Sequence, residues 1–67
     1  MAIRKDKVDQ ERANLLKIVR TAIRLRHSIA ADNELNEVLP LAEARFNKYV
    51  QKGVLPDPAS IRRSLGV

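Results

Sequence analysis

The chain has no cysteine and no tryptophan, and only two of its 67 residues are aromatic, Phe46 and Tyr49. Without cysteine, disulfides and thiolate zinc sites are excluded, and their absence fits a reducing compartment. The single histidine, His27, excludes a histidine-rich metal site in one chain, so we expect no cofactor. The few aromatics imply an aliphatic core and predict no stacking platform for single-stranded bases.

Glycine and long apolar runs are also scarce. Gly53 and Gly66 are the only glycines, which excludes a glycine-rich phosphate loop. No run approaches the roughly 18 apolar residues that span a bilayer, and the first residues, MAIRKDKVDQER, are charged where a signal peptide is apolar. We therefore expect one soluble, cytoplasmic domain over residues 1–67. Domains below about 70–80 residues usually need an added stabilising feature. With disulfides and metal sites excluded, that feature is either oligomerisation or close helix packing.

Helical periodicity dominates what is present. Apolar residues recur at spacings of three and four from residue 5 to about 30 and again from 33 to 52. Asp32 or Asn33 is the predicted N-cap of the second helix, and Gly53 its left-handed C-terminal cap. Pro40 predicts a kink or a restart inside it.

A short third helix is predicted over about 58–65, because Asp57-Pro58 has the form of an N-cap followed by proline at the first helical position. The predicted fold class is all-α, an antiparallel hairpin of two long helices plus this short C-terminal helix.

The segment SIRRSL in the third helix resembles the recognition helix of small bacterial helix-turn-helix repressors. With Gly53 as the turn glycine, however, Tyr49 stands where the motif has a small residue and Arg62 where it has an apolar one. The alternative interpretation is a capping helix, in which Ile61 and Leu65 close the open end of the hairpin and the arginines stay solvated.

The apolar arc of the first helix covers about half its circumference, more than one hairpin partner needs. This excess predicts a second neighbour and hence a homodimeric helical bundle. The predicted interface consists of residues on or beside that arc: Leu15, Ile18, Val19, Ala22, Leu25, Arg26 and Ile29.

Charge is unevenly distributed along the chain. Residues 12–31 contain five bases and no acid, residues 32–43 contain four acids and no base, and residues 44–67 have a net charge of +4. A hairpin centred near residue 31 would place Arg26 opposite Glu37 and Arg20 opposite Glu43. Arg12 and Arg26 fall within the apolar arc, where they either extend to water and a carboxylate or form ion pairs between subunits.

The outer face of the first helix carries bases and no acids, and a pI near 10.3 favours polyanions. We expect a nucleic-acid-binding protein, most readily one that contacts duplex DNA phosphates, and a regulatory role is compatible with this. The predicted contact residues are Lys17, Arg20, Arg24 and His27, with Arg62 and Arg63 of the third helix.

Two other binding roles are open. The hairpin could dock on a larger acidic protein, as an accessory factor of a phage or bacterium would. LLKIVRTAIRL also has the form of a cationic amphipathic membrane-surface segment, although its apolar face is needed for folding. Catalysis has no support, because no nucleophile–base set is present and the paired acids Glu34 and Glu37 suit a first helical turn.

Overall fold

The structure, a computed structural model, describes residues 3–27, 29 and 31–67. In these ranges the chain forms three helices and no strand: α1 (Lys5–Arg26), α2 (Ala31–Gln51) and α3 (Pro58–Ser64). The two long helices pack against each other as an elongated body of 43 × 17 × 17 Å, and α3 packs on both. The predicted all-α hairpin with a short third helix is confirmed.

The turn of the hairpin comes earlier in the chain than predicted. α1 ends at Arg26, not near residue 30, and the N–H of His27 donates to the carbonyl of Ile23 at 2.9 Å. Residues 28 and 30 lie outside the described residues. The centre of the hairpin therefore lies two to three residues before residue 31, which changes which side chains of α1 and α2 face each other.

The start of α2 corrects a second prediction. The helix begins at Ala31, so Asp32 and Asn33 lie inside its first turn and neither is the N-cap. Asp32 and Glu34 instead place negative charge near the positive end of the helix dipole, which stabilises this terminus.

α2 is not split at Pro40, which lies inside a helix that runs unbroken to Gln51. Proline removes the hydrogen bond to the carbonyl of Asn36. Both residues are exposed, so water can satisfy that carbonyl. Of the two predicted outcomes, a restart of the helix is excluded.

The predicted C-terminal cap of α2 and the predicted N-cap of α3 are both confirmed. Gly53 has φ +80°, its N–H donates to Val50 O at 2.9 Å, and the N–H of Val54 donates to Tyr49 O at 3.0 Å. This is the Schellman pattern, which favours glycine because of the left-handed backbone. Asp57 precedes α3, and its carboxylate accepts from the N–H of Ala59 at 3.4 Å.

The core lies where the three helices meet. Its largest fully buried side chains are Phe46 from α2 and Leu15, Val19 and Ile23 from α1. Ile61 of α3 is buried against them and Leu65 packs at the edge. The predicted burial of these two residues is confirmed, but α3 does not close the open end of the hairpin. It runs beside the long helices toward their turn, where the Gly66 carbonyl accepts from Arg26. Within the described ranges, no helix combines the length and apolar character needed to cross a membrane.

Candidate nucleic-acid interface

The outer face of α1 carries three exposed cations on consecutive turns: Lys17, Arg20 and Arg24. Because the core positions of α1 point the other way, these side chains are held on the solvent side of the hairpin. None of the three takes part in a salt bridge with any residue that the structure describes. We define Lys17, Arg20 and Arg24 as the basic face.

His27, which was predicted as a contact residue, does not belong to the basic face. It is the C-cap residue of α1, half-buried, and its Nε2 lies 2.6 Å from Oε2 of Glu34 at the start of α2. The imidazole therefore links the two helices across the turn, and a phosphate would have to compete with that carboxylate for it.

The predicted pairing of Arg26 with Glu37 is wrong. Nη1 of Arg26 lies 3.9 Å from Oε1 of Glu34 and donates to the carbonyl of Gly66 at 3.0 Å. The predicted pair of Arg20 with Glu43 is likewise not among the salt bridges of the described residues. Because the turn comes early, Arg26 meets Glu34, which precedes the predicted Glu37 by three residues, and the changed register also explains the second error.

Arg12 is satisfied within the chain. Its guanidinium donates to Oδ1 of Asn47 from Nε at 3.1 Å and from Nη2 at 2.9 Å, and to Asp9 from Nη1 at 3.1 Å. The same group lies 5.4 Å from the centre of the Phe46 ring, a cation–π distance. With its side chain 28% exposed, Arg12 covers the core as the first interpretation predicted, and no second subunit is needed to explain it.

The two arginines of α3 point in different directions. Arg62 is half-buried, and its Nη1 donates to the main-chain oxygen of Val67 at 2.6 Å. It also lines a groove beside α1, where it shares the lining with Lys17. Arg63 is exposed, makes a long contact of 3.5 Å to Ser60 Oγ, and does not line this groove.

The groove between α1 and α3 has a volume of about 470 Å³. Most of the surface that lines it is apolar, and we call it the α1–α3 groove; its lining residues are Asn14, Lys17, Ile18, Thr21, Ala22, Leu25 and Arg62. No acid is among them. Leu25 is 83% exposed and adds to the apolar surface of Ile18 and Ala22 in this groove.

The predicted interface residues separate into two groups. Leu15 and Val19 are completely buried in the core of the single chain, so they offer no surface to a second copy. Ile18 and Ala22 are half-buried in the α1–α3 groove, while Leu25 and Ile29 are exposed, the latter by 97%.

A second cationic surface lies at the C-terminal end of α2, and no residue of it was predicted as a site residue. Arg45, Lys48, Tyr49 and Lys52 line a cleft with Ser64 of α3. The +4 charge of residues 44–67 was a signal for it, and the spacing of these residues places them on one side of α2. The sequence alone did not reveal that Tyr49, an apparent core residue by periodicity, is 47% exposed.

No protein-family model, no curated protein and no solved structure matches this chain. No group of three or more potential metal ligands occurs in the part of the chain for which side chains are described.

Proposed function

We propose that this protein binds nucleic acid, most readily duplex DNA, through phosphate contacts made by the basic face. The observation that carries the proposal is three exposed cations on consecutive turns of α1 with no salt-bridge partner in the described residues. Lys17 to Arg24 spans about 10 Å along the helix, a length that can follow the phosphates of one strand. Arg62, which lines the α1–α3 groove together with Lys17, extends the positive charge onto α3. We assign the protein a binding role and not a catalytic one.

The electrostatics predict modest affinity that depends steeply on salt. Three to five phosphate contacts correspond to a slope of about −3 to −4.5 in log affinity against log salt concentration. Phosphates carry no base sequence information, so we expect little discrimination between duplexes of different sequence. The cysteine-free composition is compatible with the cytoplasm, where nucleic acid is accessible.

A salt titration tests the proposal directly. Fluorescence anisotropy of a labelled random-sequence duplex should show binding at about 50 mM salt that weakens along this slope. Failure to bind at low salt, or binding that is independent of salt, would contradict a phosphate-directed role.

We further propose that two copies associate through the α1–α3 groove. The exposed Leu25, together with Ile18 and Ala22, forms an apolar stripe at helical spacing, and Ala22 would allow two helices to approach closely. Pairing would bring Lys17 and Arg62 of the two copies near each other, so added salt should strengthen self-association while weakening DNA binding. Sedimentation at micromolar concentration over a range of salt should show this opposite dependence.

The second candidate function is docking on a larger acidic protein, and the same groove favours it. A mostly apolar lining that includes Lys17 and Arg62 and no acid suits an amphipathic helix that carries acidic residues. A monomer in sedimentation, combined with no binding to duplex DNA at low salt, would favour this role over the first.

A further inference from the structure

The cleft at the C-terminal end of α2 combines three cations with an exposed aromatic ring. Arg45, Lys48 and Lys52 surround Tyr49, and Ser64 of α3 closes the other side. The volume of about 320 Å³ lies within the range of small-ligand sites. No carboxylate lines it, so none of its charge is neutralised from within the cleft.

Contacts from α3 hold Arg45 in place. Its Nη1 donates to Ser64 Oγ at 2.9 Å and to the main-chain oxygen of Ser64 at 3.3 Å, and Ser64 Oγ donates in turn to Ile61 O at 2.8 Å. No other donor of the guanidinium is engaged by the residues that the structure describes. The group is thus positioned at the junction of two helices with Nε and Nη2 left to meet an anion.

Tyr49 presents exposed aromatic surface beside cations, which the scarcity of aromatic residues in the sequence did not predict. Phe46, one turn earlier, is completely buried in the core, whereas Tyr49 is about half exposed. Asp57, which lines an adjoining cleft with Tyr49, is engaged in capping α3. A ring bordered by phosphate-binding cations is the combination that single-stranded nucleic-acid sites use, because every base can stack on it while the backbone meets the cations.

We propose that this cleft binds one unpaired nucleotide, with the base against Tyr49 and the phosphate held by Arg45, Lys48 and Lys52. The nucleotide can belong to a single strand or be free in solution, since both present the same base and phosphate. The site is separate from the basic face of α1, so this proposal does not depend on binding of duplex DNA.

Tyr49 offers a direct readout because it is the only tyrosine and the chain has no tryptophan. Three probes are titrated at low salt: an oligothymidylate of about eight nucleotides, within the usual site sizes, an abasic oligomer of the same length, and thymidine monophosphate. The oligothymidylate should quench tyrosine fluorescence and bind more tightly than the abasic oligomer. If the monophosphate binds as tightly as the oligomer, the ligand is a free nucleotide; if it binds far more weakly, the ligand is a strand.

Matched variants separate stacking from charge. Tyr49→Phe keeps a ring and should bind the oligothymidylate like the parent, as followed by anisotropy of a labelled oligomer. Tyr49→Leu should lose about 5- to 150-fold in affinity, the usual effect of removing a stacking aromatic, with little change for the abasic oligomer. Lys48→Gln/Lys52→Gln should weaken both oligomers alike.

Circular dichroism of each variant checks that the helices remain folded. We expect them to remain, because Tyr49 is half exposed and its replacement leaves the core intact. Equal affinity of the parent for the thymidylate and abasic oligomers, or unchanged binding by a folded Tyr49→Leu variant, would overturn the proposal. Lys17→Gln/Arg24→Gln should leave the preference for the thymidylate over the abasic oligomer unchanged, because that preference comes from Tyr49, so loss of duplex binding in that variant tests only the basic face.

Discussion

Replacing Lys17 and Arg24 together with glutamine tests whether the basic face of α1 binds phosphates. Both side chains are exposed and make no salt bridge with the described residues, and the Thr21 hydroxyl bond to Lys17 uses the main-chain oxygen, which glutamine retains. Substitutions of this kind usually stay within about 0.5 kcal/mol. The melting temperature of a domain this small should therefore move by no more than about 2–4 °C.

DNA binding should respond much more strongly than stability. Two lost phosphate contacts flatten the salt slope by about 1.8. Between about 50 and 200 mM salt, the parent should consequently lose roughly tenfold more affinity than the variant. Anisotropy titrations with one labelled duplex at four or five salt concentrations give both slopes.

The matched control is Lys5→Gln/Lys7→Gln, in the first turns of α1. It lowers the net charge of +5 by the same two units, but its lysines are exposed beside Asp6 and lie off the basic face. Its slope should stay close to that of the parent. Equal flattening in both variants would mean that binding follows net charge alone, and the reasoning about the basic face would be refuted.

Three further predictions concern the fold and assembly. Arg12→Leu should lower the free energy of unfolding by about 1–2 kcal/mol in chemical denaturation, because a half-buried Asn47 oxygen loses a charged donor; a neutral result would mean that Asn47 finds water instead. Arg26→Gln should cost less, about 0.5–1 kcal/mol, since its bond to Gly66 O is exposed, and faster amide exchange in α3 would show that this helix is loosened. Leu25→Ser should leave the melting curve of the monomer nearly unchanged but reduce self-association in sedimentation, and undiminished association would place the contact elsewhere.

The element pattern could be predicted because it depends on local chemistry. Periodic apolar residues, the Gly53 cap and the Asp57-Pro58 start each act within a few residues, and all three are present in the structure. The restart of α2 that Pro40 suggested does not occur. A helix stabilised by a buried face tolerates one lost hydrogen bond at an exposed position.

The side-chain partners could not be predicted in the same way. A hairpin centred two to three residues earlier moves every facing pair, so Arg26 meets Glu34 and the Gly66 carbonyl instead of Glu37. Exposed ion pairs contribute little energy and therefore follow the packing of the apolar core, not the reverse.

By itself, the sequence determined the all-α class, the approximate positions of three helices and the acid-free outer face of α1. Only the tertiary structure decided that Leu15 and Val19 belong to the core of a single chain, that Arg12 is bound to Asn47, and that Tyr49 stands beside three cations. The physical reason is that helical periodicity specifies which face of a helix is apolar. How much of the apolar face of α1 is buried depends on how α2 and α3 pack against it.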